Sequence, residues 1–292
     1  MEKELKQISV PDAYNYIGVF LTLECNLKCS YCINNFEGNE AKREIIPGKV
    51  WVRLLNRLHS RQGLPISLQG GEPSAHPDFL YIINNLRPEL NIDILTNLKF
   101  DIDTFIKSVN PNRIKRDSPY ASIRVTYHPE TMDLEETMGK VLKMLDKGYS
   151  IGIWSVLHPD YKEQILKAQQ ICTKKGIDFR IKEFLGEYQG KVYGLYKYED
   201  ACSKKTRKSV LCKTTELLID PQARVFRCHH DLYKGTNYLG ELFSALVTIE
   251  DKYRPCEDYG FCNPCDIKVK TNRFQEYGHT SVDVKFLDKR AS

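Results

Sequence analysis

The segment YIGVFLTLECNLKCSYC (residues 16–32) joins a run of β-forming residues to three closely spaced cysteines. The first eight residues are rich in β-branched, aromatic and aliphatic side chains, which predicts a buried strand. Cys25, Cys29 and Cys32 follow it directly. A structural zinc site is closed by four ligands, usually as two separated pairs, whereas three ligands leave a coordination position open for chemistry. We therefore predict a metal centre with an open position after the first strand.

The composition of the 292-residue chain fits a globular protein with a sizeable core, since 41% of its residues are hydrophobic. No stretch approaches 18 uninterrupted apolar residues, so we expect no membrane span. The N-terminus, MEKELKQISV, is charged and lacks the apolar region of a secretory signal. Ten cysteines without such a signal favour reduced thiols in the cytoplasm and metal binding over disulfides. The net charge of +5 is small, and we expect neither a membrane nor a nucleic acid as partner.

Six β-rich runs alternate with segments of helical spacing up to about residue 184. The runs are 16–23, 65–69, 91–96, 121–127, 150–157 and 178–184. Apolar residues three and four apart, with start and stop signals, predict helices over 47–63, 133–148 and 162–176. The least regular stretch, 100–120, is predicted to hold one short helix and a loop. Strands alternating with helices imply an α/β fold with a parallel sheet, closed or partly closed.

The pattern changes after about residue 185, where Gly, Tyr and Lys become frequent and the periodicity weakens. Six cysteines lie beyond this point: Cys202, Cys212, Cys228, Cys256, Cys262 and Cys265. We therefore predict two domains, a β/α domain over 1–190 and a smaller cysteine-rich domain over 191–292.

Four further motifs stand at the C-terminal ends of predicted strands, where parallel β/α barrels form their active sites. They are GGEP (70–73), TN (96–97), TYHP (126–129) and VLHP (156–159). In GGEP the two glycines allow the backbone to approach a ligand closely, and Glu72 offers an acceptor for an ammonium group. We predict that these motifs and the three cysteines form one site.

The spacing C-x3-C-x2-C after a first strand, with Tyr31 before the last cysteine and GGEP after the second strand, resembles the radical SAM superfamily. The resemblance covers about residues 15–185 and implies a partial (β/α)6 TIM-like barrel. It implies that Cys25, Cys29 and Cys32 hold three irons of a [4Fe–4S] cluster, while the amino and carboxylate groups of S-adenosylmethionine bind the fourth.

The same resemblance implies roles for the other motifs. Gly70, Gly71 and Glu72 would receive the methionine ammonium of the cofactor, and Tyr31 would lie by the adenine. Polar contacts to the ribose or carboxylate would come from Thr96, Asn97 and Thr126. The third-strand motif of the family often ends in Gly, whereas Leu98 stands at that position here.

The C-terminal cysteines flank a predicted hairpin, in which LLID and RVFRC form strands joined by PQA. The order C-x15-C, a gap, then C-x2-C resembles the twitch domain, the short relative of the SPASM extension of radical SAM enzymes. That resemblance implies an auxiliary [4Fe–4S] cluster held by Cys212, Cys228, Cys262 and Cys265. Zinc fits the same spacing.

Some residues have more than one interpretation. Cys256 is a substitute cluster ligand, an idle thiol or a catalytic hydrogen-atom donor, for which Cys202 is the fallback, while Cys172 is expected to pack in the core. His128 and His158 are turn residues or contact the substrate. The basic stretch 202–213 is a solvated loop or contacts a phosphate or acidic substrate.

A second interpretation of the first cysteine loop is that it forms half of a zinc site completed by distal cysteines. The C-terminal cysteines can form a site of their own, which favours the iron–sulfur interpretation.

The resemblance implies a cytoplasmic enzyme that cleaves S-adenosylmethionine to a 5′-deoxyadenosyl radical, which abstracts a hydrogen atom from an unactivated C–H bond. The second cluster would accept an electron, which gives oxidation or cross-linking of a small molecule, sugar or peptide. An electron donor such as flavodoxin or ferredoxin is expected.

About 15 residues before the first strand leave no room for a fused peptide-binding module, which favours a small substrate or a peptide brought by a partner. The alternatives are an epimerase with a cysteine hydrogen donor and an iron–sulfur electron carrier without turnover.

Overall fold

The computed structural model describes residues 6–34, 45–272 and 275–287. Its strands are β1 (Ile8–Ser9), β2 (Tyr16–Thr22), β3 (Leu58–His59), β4 (Ile66–Gly70), β5 (Ile92–Thr96), β6 (Ile123–Thr126), β7 (Ile151–Leu157), β8 (Phe179–Glu183), β9 (Gly186–Tyr188), β10 (Lys191–Tyr193), β11 (Lys208–Thr214), β12 (Glu216–Ile219), β13 (Arg224–Phe226), β14 (Gly240–Glu241), β15 (Arg254–Tyr259), β16 (Lys270–Asn272), β17 (Gln275–His279) and β18 (Val282–Phe286). Its α-helices are α1 (Gly48–Leu55), α2 (Phe79–Asn85), α3 (Ile102–Ser108), α4 (Leu134–Asp146), α5 (Lys162–Lys174), α6 (His229–Lys234) and α7 (Pro264–Ile267).

A nine-stranded sheet forms the framework, with the strand order β14-β13-β12-β2-β4-β5-β6-β7-β8. The six strands from β2 to β8 in this order pair in parallel. They coincide with the six β-rich runs of the sequence, and helices follow most of them. The predicted α/β fold with a partial (β/α)6 barrel is therefore confirmed.

The two faces of β2 show how the sheet is buried on both sides. Ile17, Val19 and Leu21 pack into the main core together with the apolar residues of the helices. Phe20, which points to the opposite face because side chains alternate along a strand, packs against Phe226 from the C-terminal part of the chain. A strand buried on both faces reads as a continuous apolar run, which is what residues 16–23 show.

The helix predictions are confirmed over 133–148 and 162–176, where α4 and α5 lie, and 100–120 holds the short helix α3. The prediction over 47–63 is wrong at its end, since α1 stops at Leu55. Residues 58–59 form β3 instead, because their backbone pairs in parallel with β1. Helix α2 has no counterpart among the predicted helices. None of the described helices is long and apolar enough to cross a membrane.

The C-terminal part of the chain extends the barrel sheet. The predicted hairpin is confirmed as β12 and β13, which pair antiparallel, and β12 lies parallel to β2. A separate three-stranded sheet, in the order β15-β11-β18, carries the cysteine-rich region. The main sheet thus contains strands from both sides of residue 190, and the division into 1–190 and 191–292 stays a prediction.

Candidate active site

The loops that follow the parallel strands meet on one rim of the barrel. The side-chain amide of Asn97, after β5, donates a 2.6 Å hydrogen bond to Asn26 in the loop after β2. In the same loop, the backbone N–H and the hydroxyl of Ser30 donate to the carboxylate of Glu130, after β6, at 2.5 and 2.7 Å. The sequence prediction of a single site at the strand ends agrees with these contacts.

The cysteine loop presents its thiols at the surface of this rim. Cys25 and Cys32 are exposed and Cys29 is half-buried. The Sγ of Cys25 accepts from the backbone N–H of Leu27 at 3.4 Å, and that of Cys29 lies 3.8 Å from the hydroxyl of Thr131. The pKa of Cys29 is raised to about 11, chiefly by burial. The negative charges of the neighbouring thiolates contribute to the increase. A bound cation offsets this repulsion, so the loop suits metal coordination.

The two glycines of GGEP allow β4 to end in direct contact with the loop after β2. A Cβ on Gly70 would lie 1.9 Å from the carbonyl oxygen of Thr22, and one on Gly71 would lie 2.2 Å from that of Glu24. The backbone N–H groups of Gly71 and Glu72 donate to these same two carbonyls at 3.0 and 2.8 Å. Close approach is therefore required by the protein itself, in addition to any ligand.

Glu72 is buried, 1% exposed, and holds the ends of three strands together. Its Oε1 accepts from the hydroxyls of Ser74 at 2.6 Å and of Thr96 at 2.8 Å, and its Oε2 accepts from the backbone N–H of Asn97 at 2.7 Å. Burial raises the pKa of Glu72, although all these donors act in the opposite direction. Thr126, the last residue of β6, lies on the same rim. The cofactor contacts predicted for these residues stay predictions, since the hydrogen bonds seen here are internal.

Tyr31 lies in a cluster of aromatic rings on the rim. Its ring stacks on His158 at 4.7 Å between centroids, and its hydroxyl lies 3.2 Å from Nδ1 of His128. Burial lowers the pKa of His128 to about 4, so its imidazole is neutral at pH 7 and can accept from Tyr31. His158 also caps the 3₁₀ turn that begins at Pro159. Both histidines therefore have structural contacts that support the position of Tyr31.

Glu130 and Asn26 are site residues that the sequence analysis missed. Glu130 lies directly after the TYHP motif and accepts a 3.3 Å hydrogen bond from the hydroxyl of Tyr161 besides its bonds to Ser30. Its nearness to a predicted motif was the only available signal, since an acidic residue in a loop is common. Asn26 lies inside the cysteine motif, for which the sequence analysis predicted roles for the thiols and Tyr31 only.

These residues fit the cluster and the cofactor that the sequence resemblance implies. The loop supplies three sulfurs rather than four, which suits a cluster with one iron left for a further ligand. The glycine contacts leave the backbone at residues 70 and 71 free of side chains beside that loop. The number and type of the donors thus match a cluster bound by three thiolates, with one iron left for the cofactor.

The second cysteine set lines a pocket in the C-terminal region. Cys212, Cys228 and Cys262, three of the predicted ligands, line it together with Cys256. Cys265 is not among the lining residues. A hydrogen bond between Cys212 and Cys256 lowers the pKa of Cys256 and raises that of Cys212.

The two cysteines left over from both ligand sets pack in different places. Cys172 is fully buried in the main core, as predicted. Cys202 packs, partly buried, against the apolar cluster that surrounds the second pocket.

A buried ionic network lies next to this second pocket and was not predicted. His229 Nδ1 lies 2.7 Å from Asp266 and 3.5 Å from Glu216, while Lys270 Nζ lies 2.7 Å from Glu216. The carboxylates lower the cost of burying these cations, and they raise the pKa values of His229 and Lys270 against the effect of burial. The network ties α6 and α7 to β12.

The chain is similar to several known proteins in sequence and in fold. The GTP 3′,8-cyclase of Clostridium perfringens (strain SM101 / Type A) is 25% identical over 222 residues, which cover 72% of this chain and 68% of that protein. SuiB of Streptococcus suis, solved with bound S-adenosylmethionine, aligns with a TM-score of 0.53 at 17% identity. That alignment covers 80% of this chain, which spans only 64% of the SuiB chain.

A second solved structure, native anSMEcpe with bound AdoMet and the Kp18Cys peptide, aligns with a TM-score of 0.56 at 15% identity. It covers 81% of this chain and 78% of that one, and at such identities both structures support the fold alone. The family model described as the Radical SAM superfamily matches residues 19–181, which include the three-cysteine loop and GGEP. Since this match extends over more than half of the chain, the protein belongs to the radical SAM superfamily.

Proposed function

We propose that this chain removes a hydrogen atom from an unactivated C–H bond of a small molecule, sugar or peptide, and that the outcome is oxidation or cross-linking. The superfamily uses a [4Fe–4S] cluster and S-adenosylmethionine, and reductive cleavage of the bound cofactor supplies the radical that performs this step. The observation that carries the proposal is the rim, where three accessible thiols lie beside the side-chain-free backbone of Gly70 and Gly71.

The residues of the rim have separate tasks in this proposal. Cys25, Cys29 and Cys32 hold the cluster, and the carboxylate of Glu72 favours the methionine ammonium through its charge. Glu130 keeps the cysteine loop in place through Ser30. Tyr31, supported by His128 and His158, offers an aromatic surface for the adenine.

The C-terminal cysteines are proposed to hold an auxiliary [4Fe–4S] cluster. This cluster would accept the electron that leaves the substrate radical, so that the net reaction is an oxidation. Cysteine thiols around one pocket suit such a cluster, and the buried ionic network of Glu216, His229, Asp266 and Lys270 lies next to them. A flavodoxin or ferredoxin is the proposed electron donor for the first cluster, and the cytoplasm is the proposed location.

The substrate class rests on the relatives. Several similar curated proteins are named for a reaction of GTP, a small molecule, whereas another is named PqqA peptide cyclase and one of the solved neighbours holds a peptide. The parallel strands carry charged residues whose side chains interact with one another, among them Arg124 on β6 and Lys182 on β8, which suits a polar substrate. We therefore propose small polar molecules as the first substrate class and peptides as the second.

The proposal is tested with the anaerobically reconstituted protein, dithionite, S-adenosylmethionine and a panel that begins with GTP and the Kp18Cys peptide. The expected result is that one compound increases the formation of 5′-deoxyadenosine, and that deuterium on that compound appears in the 5′-deoxyadenosine. Cleavage of S-adenosylmethionine that yields a product with inverted configuration would replace oxidation by epimerisation, with Cys256 as the hydrogen donor. Absence of any cleavage would identify an iron–sulfur electron carrier and contradict the proposal.

A further inference from the structure

The pocket in the C-terminal region brings together four thiols that differ from the set implied by the twitch resemblance. Its lining contains Cys212, Cys228, Cys256 and Cys262, and it does not contain Cys265. Four thiolates around one pocket are the usual protein ligands of a [4Fe–4S] cluster. The question is therefore which of Cys256 and Cys265 is the fourth ligand.

The strand register places Cys256 beside Cys212. Cys212 of β11 pairs with Arg254 of β15, and Cys256 lies two residues further along β15. Since side chains alternate along a strand, Cys256 lies on the same face of the sheet as Arg254 and therefore as Cys212. Both residues line the same pocket.

Two contacts hold Cys228 next to this pair. The guanidinium of Arg227 donates a 2.6 Å hydrogen bond to the carbonyl oxygen of Pro255, so the residues that precede Cys228 and Cys256 are joined directly. His230, two residues after Cys228, lies 3.6 Å from the carboxylate of Asp258. The segments that carry the two cysteines therefore run side by side.

Arg227 adds a cation to the wall of the pocket. It lines the pocket together with Cys212, Cys228 and Cys256, and its guanidinium also pairs with Asp231 at 2.8 Å. A cation beside thiolates offsets part of their mutual repulsion.

Cys262 completes the group from the loop after β15. Its backbone N–H donates to the carbonyl oxygen of Ala201 at 2.9 Å, and Gly260 donates to the same carbonyl at 3.1 Å. Cys262 packs against the same apolar cluster as Cys212, Cys228 and Cys256. Its position is thus fixed on the pocket side of the domain.

Cys265 lies outside this group of four. The ionisable groups it interacts with include Lys270 of β16 and Asp266 of α7, of which Asp266 also lines the pocket, and further Glu216 of β12, Lys182 of β8 and Tyr233 of α6. Tyr233 in turn donates a 2.5 Å hydrogen bond to Asn34, which follows the first cysteine loop. Cys265 is also absent from the apolar cluster that contains the other C-terminal cysteines of the described chain.

We propose that the auxiliary cluster is held by Cys212, Cys228, Cys256 and Cys262, and that Cys265 is a free thiol outside it. This inference rests on the proposed function, since it concerns the auxiliary cluster. It exchanges one residue of the ligand set that the resemblance implies. Of the two cysteines in the C-x2-C motif, Cys262 then binds the cluster and Cys265 does not.

The test compares Cys256→Ala, Cys265→Ala and, as a matched half-buried control, Cys202→Ala, all reconstituted anaerobically. Two clusters correspond to about eight irons per chain. We expect Cys256→Ala to retain about four irons, with an unchanged first cluster as read by cleavage of S-adenosylmethionine. Cys265→Ala and Cys202→Ala should retain the full complement. Loss of the auxiliary iron in Cys265→Ala would overturn the inference, whether or not Cys256→Ala also loses it.

A second measurement compares the loaded with the metal-free wild-type protein and needs no variant. Anaerobic alkylation with iodoacetamide, followed by peptide mass spectrometry, should label Cys256 more slowly in the loaded than in the metal-free protein and Cys265 at the same rate in both, because cluster ligands are protected. Protection of Cys265 by loading would overturn the inference. A wild-type protein with about four irons and one zinc would also overturn it, and would remove the auxiliary cluster from the proposed function, while cleavage of S-adenosylmethionine would persist.

Discussion

Glu72 combines two tasks that substitution can separate. Its oxygens accept hydrogen bonds from Ser74, Thr96 and Asn97, and its charge faces the proposed position of the methionine ammonium. In Glu72→Gln the charge is lost and an NH2 group must face one of these donors. We expect the affinity for S-adenosylmethionine to fall about tenfold or more and the free energy of unfolding to fall by about 1–3 kcal/mol.

Titration calorimetry of the loaded protein and urea unfolding measure the two effects of Glu72→Gln. The exposed Glu89, mutated to Gln, is the control. A variant that loses stability but binds the cofactor normally would place Glu72 outside the binding site.

His128 gives the rim a pH dependence. Its pKa is lowered by burial from 6.5 to about 4, so between these values the unfolded chain binds more protons than the folded one. The free energy of unfolding should therefore decrease as the pH falls from 6.5 towards 4. Urea unfolding of the metal-free protein at several pH values should show a shallower decrease for His128→Gln than for the wild type. Identical slopes would mean that His128 titrates normally.

Leu98 shows how a departure from the family pattern is accommodated. It stands where the family often has Gly, and its φ of +57° lies in the left-handed region that glycine adopts freely. The side chain is 1% exposed, so its burial in the core offsets the backbone strain. The sequence shows only that Leu98 departs from the family pattern. The positive φ of Leu98 gives the physical reason, because glycine adopts this backbone conformation without strain.

At the scale of elements, the ends of β2 and β4 are held together by the glycines of GGEP. In Gly70→Ala the new methyl group would meet the carbonyl oxygen of Thr22, so the strands must separate. We expect the free energy of unfolding to fall by about 1–3 kcal/mol or more. Gly139 on α4 has no atom within 4 Å of a new methyl group, so Gly139→Ala should raise it by about 0.5–1 kcal/mol. Thermal unfolding measures both changes, and equal effects of the two substitutions would contradict the close contact.

The loop after β6 is expected to stabilise the cysteine loop through Glu130. Glu130→Ala removes the acceptor of the Ser30 N–H and hydroxyl groups, whereas Glu130→Gln retains one acceptor oxygen. The rate at which a chelator removes iron from the first cluster should increase in the order wild type, Glu130→Gln, Glu130→Ala. The exposed Glu135 on α4, mutated to Ala, should leave the rate unchanged. Equal rates in all four proteins would show that Glu130 does not hold the loop.

Local patterns predicted most elements because their signals lie within the elements themselves. All six parallel strands carry apolar β-forming runs, and α4 is capped by Asp133, whose carboxylate accepts from the N–H of Glu136. The end of α1 escaped prediction because residues 58–59 pair with Ile8 and Ser9, about fifty positions away. Contacts over such distances are not encoded in a local period.

At the scale of the whole molecule, the C-terminal region completes the barrel sheet rather than standing beside it. β12 pairs with β2, two hundred residues earlier in the chain, and Phe226 belongs to the same apolar cluster as Phe20. The cysteine spacing indicated candidate ligands, but it could not show that Cys256 lies on the same face of the sheet as Cys212. That placement depends on the register between β11 and β15.

Cys25, Cys29 and Cys32 are proposed to hold the cluster that cleaves S-adenosylmethionine. The most direct test is the formation of 5′-deoxyadenosine under dithionite by the anaerobically reconstituted wild type and by a variant with all three cysteines changed to Ala. We expect 5′-deoxyadenosine from the wild type and none from the variant, which should still retain about four irons in the auxiliary site. Formation of 5′-deoxyadenosine by the triple variant would contradict the account.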